Sequence, residues 1–519
     1  MLMHKPRLIY LHALVYCFGL LITTYLSAQS EFSFSPNLSF RVENVFLKNT
    51  SYHPVIKPYF LSIDKRNQLL DSIYSGKANE KRSFLTLGNK KNIVVLNPIL
   101  QSSFRISHFF EQHYALGFNI QSEFGKKLSI NLNYSIHGLS RAGFVNTRND
   151  SAGIAYSLGK VQKVNGDYYL GLVFNGNITY QPNRFLSFQL GKDRHFWGDG
   201  YRSLFISDNA SSFPYFSTSI QVWKFKYSNI VAVMDDYVIG QYTKLFPKYS
   251  SMHIISWNAS NRLNFNIFEA VVWARNDTLS HRSLDINYLN PFIFYRPLEY
   301  TLGSPDNMLV GIGMRYRIFN STHFYGQFML DEFYLKEIIA SHKWWANKHS
   351  LQLGVKVFDL FNIHDLYVQL EYNHARPFTY GHSSPLENYG YLLEPLAHPA
   401  GGNFREGLGI IRYAKGLWTL SSFVSYLKYG AEPGGKSVGT DIYISSNQRV
   451  KDYGNFIGQG ILTRQVIQDL TISRMLKPKW GFSAQAGFRN VMQYSTTNTQ
   501  QFYIIFGLKT DLYRDEKLF

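Results

Sequence analysis

Apolar and polar residues alternate along several segments of this chain. In "LSINLNYSIH", residues 128–137, Leu, Ile and Tyr alternate with Ser, Asn and His. The same period of two recurs, with few exceptions, in residues 170–180 and 310–318. Because successive side chains of a strand point to opposite faces, these segments predict strands with one lipid-compatible face and one wet face.

Further strands are predicted at residues 118–124, 324–330, 351–358, 366–373, 418–428 and 482–491, with an aromatic final strand at 501–513. At roughly 10 residues per strand plus turns, the chain from about residue 105 onward accommodates roughly 14 to 18 strands. Residues 29–104 are less regular, and we interpret them as a small N-terminal periplasmic or plug-like region.

The first residues have the pattern of a secretory signal peptide. Lys5 and Arg7 precede a mostly apolar run, and Ser27 and Ala28 follow it, which predicts a signal peptide over residues 1–28. The single cysteine, Cys17, lies inside this segment. The mature chain is therefore expected to have no disulfide, no thiol catalysis and no cysteine metal site.

Two classes of exported protein are compatible with this pattern: a soluble β-propeller or sandwich, and an outer-membrane barrel. The composition favours the barrel, because 37 Tyr and 41 Phe exceed what one soluble core would use, and barrels place aromatic residues in two interfacial girdles. We therefore predict an all-β fold, a transmembrane antiparallel β-barrel over residues 105–519, located in the cell outer membrane.

The formal net charge of +18 suits an anionic partner, such as an acidic polysaccharide or the phosphates of lipopolysaccharide. A position beside a phosphate-rich outer leaflet explains the same charge equally well. Export argues against nucleic acid as a partner.

The stretch "GKDRHFWGDGYRSLFISDNASSFPY", residues 191–215, follows a clean strand in which Leu186, Phe188 and Leu190 share one face. Continued alternation would put Lys192 and Arg194 on that apolar face, at a cost of about 2 to 4 kcal/mol at the bilayer midplane. Two explanations remain open. Either the two cations lie beyond the hydrocarbon band, or a bulge at Gly191 turns them inward.

A network of lumenal charges is also predicted. Pro297 breaks the strand ladder between Arg296 and Glu299, so that these two side chains can pair inside the lumen. Asp193 and Arg194 are expected to join them in a structural lumenal network.

Three blocks resemble the Wzi-type capsule-assembly family in its Bacteroidetes form, some relatives of which are gliding-motility surface proteins. They are residues 191–215, "HPVIKPY" at 53–59, and "LDINYLNPFIFYRPLEYTLGSPDNMLVGIGMRYR" at 284–317. The resemblance implies an outer-membrane barrel that is closed toward the periplasm by an N-terminal element. It also implies binding of surface polysaccharide without catalysis.

A polysaccharide site needs aromatic faces for the apolar sides of sugar rings and planar polar groups for the hydroxyls. The candidate ligand-binding residues of both kinds are Trp197, Asp199, Tyr201, Arg202, Asp208, Asn209, Tyr300, Asp306 and Asn307. The expected partners are outer-membrane lipid and lipopolysaccharide, surface polysaccharide, and the barrel-assembly machinery, which reads an aromatic final strand. We expect a monomer without a cofactor or a metal.

Enzymatic interpretations are weaker. Asp235 and Asp236 are adjacent and would point to opposite faces of a strand, so they cannot flank one bond. Ser203, His195 and Asp199 could form a hydrolase triad, but no nucleophile-elbow glycines surround the serine. We predict a non-enzyme, with a gliding-motility or secretion-associated surface protein as the alternative and a barrel hydrolase third.

Overall fold

A computed structural model describes residues 29–32, 36–48, 52–73, 83–89, 91–107, 110–140, 151–275, 285–289, 306–332 and 334–510. Its main feature is a closed antiparallel barrel of 18 strands, which confirms the predicted fold class. The strands are β1 (Asn92–Ile106), β2 (Phe110–Phe124), β3 (Leu128–Ser140), β4 (Tyr168–Tyr180), β5 (Leu186–Asp193), β6 (Phe213–Val222), β7 (Phe225–Val238), β8 (Gln241–Asn258), β9 (Leu263–Ala274), β10 (Asn307–Arg317), β11 (Thr322–Leu330), β12 (His349–Val357), β13 (Leu366–Ala375), β14 (Phe404–Lys415), β15 (Trp418–Ala431), β16 (Ile461–Lys477), β17 (Phe482–Tyr494) and β18 (Thr499–Thr510).

The barrel closes where the last strand pairs with the first. β18 and β1 are antiparallel partners from Ile504 opposite Ile106 to Lys509 opposite Gln101. The predicted signal peptide lies outside the described residues. The first strand begins at Asn92, ahead of the boundary that the sequence placed between residues 104 and 105.

Shorter elements complete the described chain. The helices are α1 (Pro36–Lys48), α2 (Ile63–Ile73) and α3 (Leu335–Ile339), and the 3-10 turns are Ile286–Leu289, Leu360–Asn362, Pro385–Glu387, Ser446–Gln448 and Pro478–Trp480. The short strands are Ser30–Phe32, Ile56–Lys57, Tyr59–Leu61, Leu85–Gly88, Ile154–Ala155, Gly159–Asn165, Phe196–Trp197, Gly390–Tyr391 and Glu394–Pro395. None of the helices in the described part of the chain is long and apolar enough to span a bilayer.

The two faces of the barrel wall differ as the alternation predicted. Large apolar side chains point outward, among them Leu172, Phe174, Leu190, Ile312, Leu353, Leu370 and Phe506. Many inward-facing residues are polar and bonded to one another, as in the Asn119 Nδ2 to Asn131 Oδ1 hydrogen bond of 2.9 Å, whereas Met252 and Phe268 belong to an apolar cluster inside the barrel. Phe225 and Trp257 stack near one rim, as expected for an interfacial girdle. The chain is therefore an outer-membrane β-barrel.

The connections at the two ends of the barrel differ in length. One end has short turns, such as residues 125–127, 223–224 and 416–417, whereas the other carries long segments at 194–212, 331–348, 376–403 and 432–460. In outer-membrane barrels the short turns face the periplasm and the long loops face outward.

The N-terminal helices lie at the periplasmic end. On α1, Leu38, Val42 and Phe46 follow one another at intervals of four and form an apolar stripe that packs against α2. Two polar contacts tie these helices to the barrel: an ion pair of 2.7 Å between Arg41 and Asp365, and a hydrogen bond of 2.6 Å from the Ile63 amide to Glu123.

Lys192 and Arg194 lie in different surroundings, one at the end of β5 and one beyond it. The pairing of β5 with β6 runs without a shift from Leu186 to Asp193, so Gly191 carries no bulge. Lys192 shares the outward parity of Leu190 and lies near the extracellular end of its strand. Arg194 has left the sheet and donates a hydrogen bond to Ser157 Oγ. The second explanation, a bulge at Gly191, is therefore wrong, and a position of both cations beyond the hydrocarbon band stays a prediction.

Candidate functional site

Two chain segments meet inside the barrel. The lumenal loop, residues 194–212, enters from the extracellular end, and the N-terminal segment, residues 52–58, enters from the periplasmic end. Phe196–Trp197 pairs with Ile56–Lys57 as a two-stranded antiparallel sheet, and the Gly198 amide donates to the Val55 carbonyl at 2.8 Å. These segments form one continuous plug across the lumen.

Trp197 lies in the core of this plug. Only 1% of it is exposed, and its ring contacts Phe268 edge to face at a centroid distance of 6.1 Å. Its carbonyl accepts a hydrogen bond of 2.6 Å from Ser203 Oγ. The tryptophan predicted to stack on a sugar ring is covered by protein in this structure.

Two buried carboxylates of the wall hold the lumenal loop. Glu371 on β13 accepts hydrogen bonds from the backbone amides of Tyr201 at 2.7 Å and Arg202 at 3.1 Å. Glu406 on β14 forms an ion pair of 3.2 Å with the Arg202 guanidinium and lies 2.8 Å from His398 Nε2. The carboxylate charge is thus compensated by a cation and by aligned donors, as a buried charge requires.

Gly200 allows this close approach. A Cβ atom at this position would lie 2.5 Å from the Arg202 carbonyl oxygen and 2.6 Å from a Glu371 carboxylate oxygen. Asp199 beside it forms an ion pair of 2.8 Å with Arg315 on β10, and Tyr201 packs against Phe423. The loop is therefore held closely against the wall along residues 199–202.

The outer half of the lumenal loop is bonded to the long connection between β13 and β14. The Ser207 amide donates to the Leu396 carbonyl at 2.7 Å, and Asn209 Nδ2 donates to the Pro395 carbonyl at 3.0 Å. Glu394 accepts from the Ser211 amide at 2.8 Å and from the Ser157 amide at 2.6 Å. Asp208 is buried in the same region.

The other residues predicted to bind ligand or to form the charge network lie in different parts of the structure. Asp306 accepts a hydrogen bond of 2.6 Å from the Tyr288 hydroxyl, and Asn307 donates one of 2.8 Å to the Glu387 carbonyl. Asp193 ends β5 and accepts from the Arg194 amide at 2.8 Å. Arg296, Glu299 and Tyr300 lie outside the described residues. The predicted pairing of Asp193 and Arg194 with Arg296 and Glu299 therefore stays a prediction.

The carboxyl group of Glu394 makes the stability of the folded protein depend on pH. Burial raises the pKa of this carboxyl from 4.5 to about 7, against the opposing effect of its hydrogen bonds with Ser157 and Ser211. Its contribution to stability is therefore present below pH 4.5 and is lost as the pH rises through about 7. In Glu394→Gln, which cannot ionise, the decrease in unfolding temperature between pH 5 and pH 8 is expected to be smaller than in the wild type. Thermal melts at both pH values test this, and identical pH profiles would contradict it.

The periplasmic end of the plug is held by a second ion pair. Glu43 on α1 lies 2.6 Å from Lys356 Nζ on β12. Burial raises the pKa of Glu43, but the charges of Lys356 and Lys57 lower it by more, so that it falls to about 2. This carboxylate therefore stays ionised at any pH that the cell envelope experiences.

The hydrolase triad considered above is not assembled. The Ser203 hydroxyl is bonded to the Trp197 carbonyl and contacts Gln327, whereas the His195 ring packs edge to face against Tyr215 at 4.3 Å. Asp236 forms an ion pair of 2.8 Å with Lys248, and both side chains are buried. These groups have structural partners.

One cluster of side chains that could ligate a metal ion occurs among the described residues. Asp359, His364 and Asp365 come together on the periplasmic turn between β12 and β13. Two of them already have partners, because Asp365 is paired with Arg41 and Asp359 accepts from Asn44 Nδ2 at 3.4 Å. The turn serves to anchor α1.

A group of exposed and half-buried aromatic rings lies on the extracellular end, and the sequence analysis missed it. We call it the aromatic platform: Tyr334, His342, Trp344, Trp345 and Tyr453. Neighbouring rings make edge contacts, with centroid distances of 6.1 Å for Tyr334 and Trp344, 6.0 Å for Trp344 and Trp345, and 5.9 Å for His342 and Tyr453. Tyr334 and Tyr453 are 52% and 53% exposed.

Backbone hydrogen bonds join the two loops that carry the platform. The Trp345 amide donates to the Asp452 carbonyl at 2.8 Å, and the Gly454 amide donates to the His342 carbonyl at 3.0 Å. The Arg449 guanidinium lies 4.3 Å from the Trp345 ring centre and pairs with Asp452. Aromatic faces beside planar charged groups can bind the two sides of a sugar ring. The available sequence signal was the tandem Trp344–Trp345 in a polar loop.

Comparisons with known proteins define the fold. No protein-family model matches the chain, and no curated protein sequence matches it. Among solved structures, the chain is similar to Wzi, described as an outer-membrane protein involved in group 1 capsule assembly in Escherichia coli and as a carbohydrate-binding β-barrel. The TM-score is 0.55 at 11% identity, covering 94% of this chain and all of that one.

Two porin-type structures of Pseudomonas aeruginosa are also similar, at lower scores. They are OccK7, with a TM-score of 0.45 at 9% identity over 81% of this chain and 99% of that one, and the outer-membrane protein OprD, with 0.43 at 10% identity over 84% and 98%. The chain therefore shares its fold with the Wzi barrel.

Proposed function

We propose that this chain is a non-catalytic surface-polysaccharide binder of the Wzi-type capsule-assembly family, and that it binds glycan at the aromatic platform. The observation that carries the proposal is the group of aromatic rings, partly exposed at Tyr334 and Tyr453, at the extracellular end of a barrel whose lumen holds a plug. A plugged lumen does not suit a diffusion pore. An exposed platform beside planar charged groups suits a chain of sugars.

This proposal assigns new roles to the residues predicted from the sequence. We propose that the buried candidates hold the plug in place rather than contact a glycan. These are Trp197, Asp199, Arg202, Asp208, Asn209, Asp306 and Asn307. The exposed rings of the platform contact the glycan. The positive charges of Arg449, Lys343 and Lys451 beside these rings favour an acidic polysaccharide.

The proposal also covers the partners of the protein. It functions as a monomer in contact with lipopolysaccharide, after insertion by the barrel-assembly machinery. The aromatic final strand β18, with Phe502, Ile504 and Phe506 pointing outward, supports that route.

The test is binding of purified protein to surface polysaccharide isolated from the cells that express it. Tyr453→Ala removes an exposed ring, and it is expected to weaken binding about tenfold, as expected for the loss of one aromatic contact. Biolayer interferometry on immobilised polysaccharide measures the change. Wild-type affinity in this variant would contradict the platform assignment.

Tyr494→Ala is the matched control. This tyrosine is also exposed, at the extracellular end of β17, but it lies outside the platform. Its removal is expected to leave binding unchanged. A gene deletion then distinguishes the biological roles: loss of retained capsule supports capsule assembly, whereas a normal capsule with lost gliding would favour the motility alternative.

A further inference from the structure

A cavity lies at the opposite end of the barrel from the platform. It is small, with a volume of about 20 Å³, opens to solvent, and lies between the end of α1 and the periplasmic turn that joins β8 and β9. Phe46 and Tyr52 line its plug side, whereas Arg262, Arg315, Arg317 and His323 line its wall side. We call it the periplasmic pocket.

The pocket faces the lumen rather than the lipid. Met314 and Tyr316 of β10 are exposed on the outer surface, so Arg315 and Arg317 between and beyond them point inward. A ligand for these guanidinium groups therefore comes from the periplasm and not from the bilayer.

The charges of the pocket are unbalanced. Arg315 is paired with Asp199, and the nearby Glu43 is paired with Lys356. No side chain among the described residues forms an ion pair or hydrogen bond with the guanidinium of Arg262 or Arg317. Two cations thus face one cavity without a compensating carboxylate.

His323 also lines the pocket and is 3% exposed. Its Nδ1 atom is enclosed by protein and has no hydrogen-bond partner among the described residues. Because a ligand in the pocket does not reach this atom, Arg262 and Arg317 are the groups available to bind one.

We propose that the periplasmic pocket binds an oxyanion, a carboxylate or phosphate group, carried by a soluble molecule of the periplasm. Arg262 and Arg317 bind its charge, because guanidinium forks match the geometry of both groups. The ring of Tyr52 lies beside these arginines. This site is separate from the platform and does not depend on the proposed function.

The test titrates inorganic phosphate, glucuronate and glucose into the full-length protein in an uncharged detergent at constant ionic strength, with calorimetric detection. Phosphate or glucuronate is expected to bind and glucose is not. Arg262→Ala and Arg317→Ala are each expected to weaken anion binding about tenfold, the size of one lost charge-assisted hydrogen bond. Arg184→Ala is the matched control, because this exposed arginine lies on the periplasmic turn between β4 and β5, away from the pocket.

The outcomes separate the two sources of the oxyanion. Tighter binding of glucuronate than of phosphate identifies an anionic sugar, and equal or weaker binding of glucuronate identifies phosphate itself as the sufficient group. Absence of anion binding, or equal affinity in the Arg262, Arg317 and Arg184 variants, overturns the proposal. Arg262 lies on an exposed turn, so its variant is expected to fold, which heat-modifiable gel migration verifies.

Discussion

Arg202→Ala is expected to lower the unfolding temperature and to open an ion path through the barrel. The guanidinium neutralises Glu406, and both side chains are almost fully buried. Removal of one partner leaves an uncompensated buried carboxylate, at a cost of about 3 to 5 kcal/mol. Asn373, His398 and Ser425 would then remain bonded to Glu406, and none of them is a permanent cation.

The effect reaches the lumen because this ion pair joins the loop to the wall. Planar-bilayer recordings should show low conductance for the wild type and higher conductance for Arg202→Ala. The matched control is Arg489→Ala, which breaks a lumenal arginine pair of 2.6 Å with Asp469. That pair joins β16 to β17 and leaves the loop bonded, so the control is expected to lose some stability without gaining conductance. Equal conductance in all three proteins would show that the loop is held by other contacts.

Trp197→Ala is expected to destabilise the barrel by about 3 to 5 kcal/mol, because a fully buried indole leaves a large cavity. The ring lies where the lumenal loop, the N-terminal segment and β9 meet, through its contact with Phe268 and its pairing with Ile56. The substitution therefore loosens the junction between the lumenal loop and the N-terminal segment.

The measurement combines thermal unfolding with the polysaccharide binding assay. Trp197→Ala is expected to lower the melting temperature while leaving glycan affinity unchanged, since the ring is covered and the platform lies on other loops. Trp223→Ala, at an exposed tryptophan on a periplasmic turn, is the control and should shift the melt much less. Weakened glycan binding at an unchanged melting temperature would contradict this expectation. It would show instead that Trp197 contacts the ligand, as the sequence suggested.

The two variants address one property of the molecule, the continuity of the plug from the periplasmic helices to the outer loops. Glu43 secures its lower end, Trp197 its middle, and Glu394 its upper end. Under the two proposals above, the platform outside and the pocket inside are the places where the protein meets other molecules.

The sequence by itself determined the fold class and the orientation of residues within strands. The alternation in residues 128–137 places Ser135 and His137 inside and Ile136 outside, and the structure agrees. This holds because the period of two is a local property of extended backbone, and a lipid-facing surface accepts only apolar side chains.

Only the tertiary structure decided which distant residues share a site. The sequence singled out residues 191–215, but it did not identify Glu371 and Glu406 as the partners of Tyr201 and Arg202. It also gave no sign that Trp344 and Tyr453 lie on two loops that hydrogen bonds hold together. Burial of Trp197 and exposure of Tyr453 depend on which loops fold into the lumen and which stay outside. That choice rests on contacts between segments far apart in the chain, which a local pattern of apolar and polar residues does not encode.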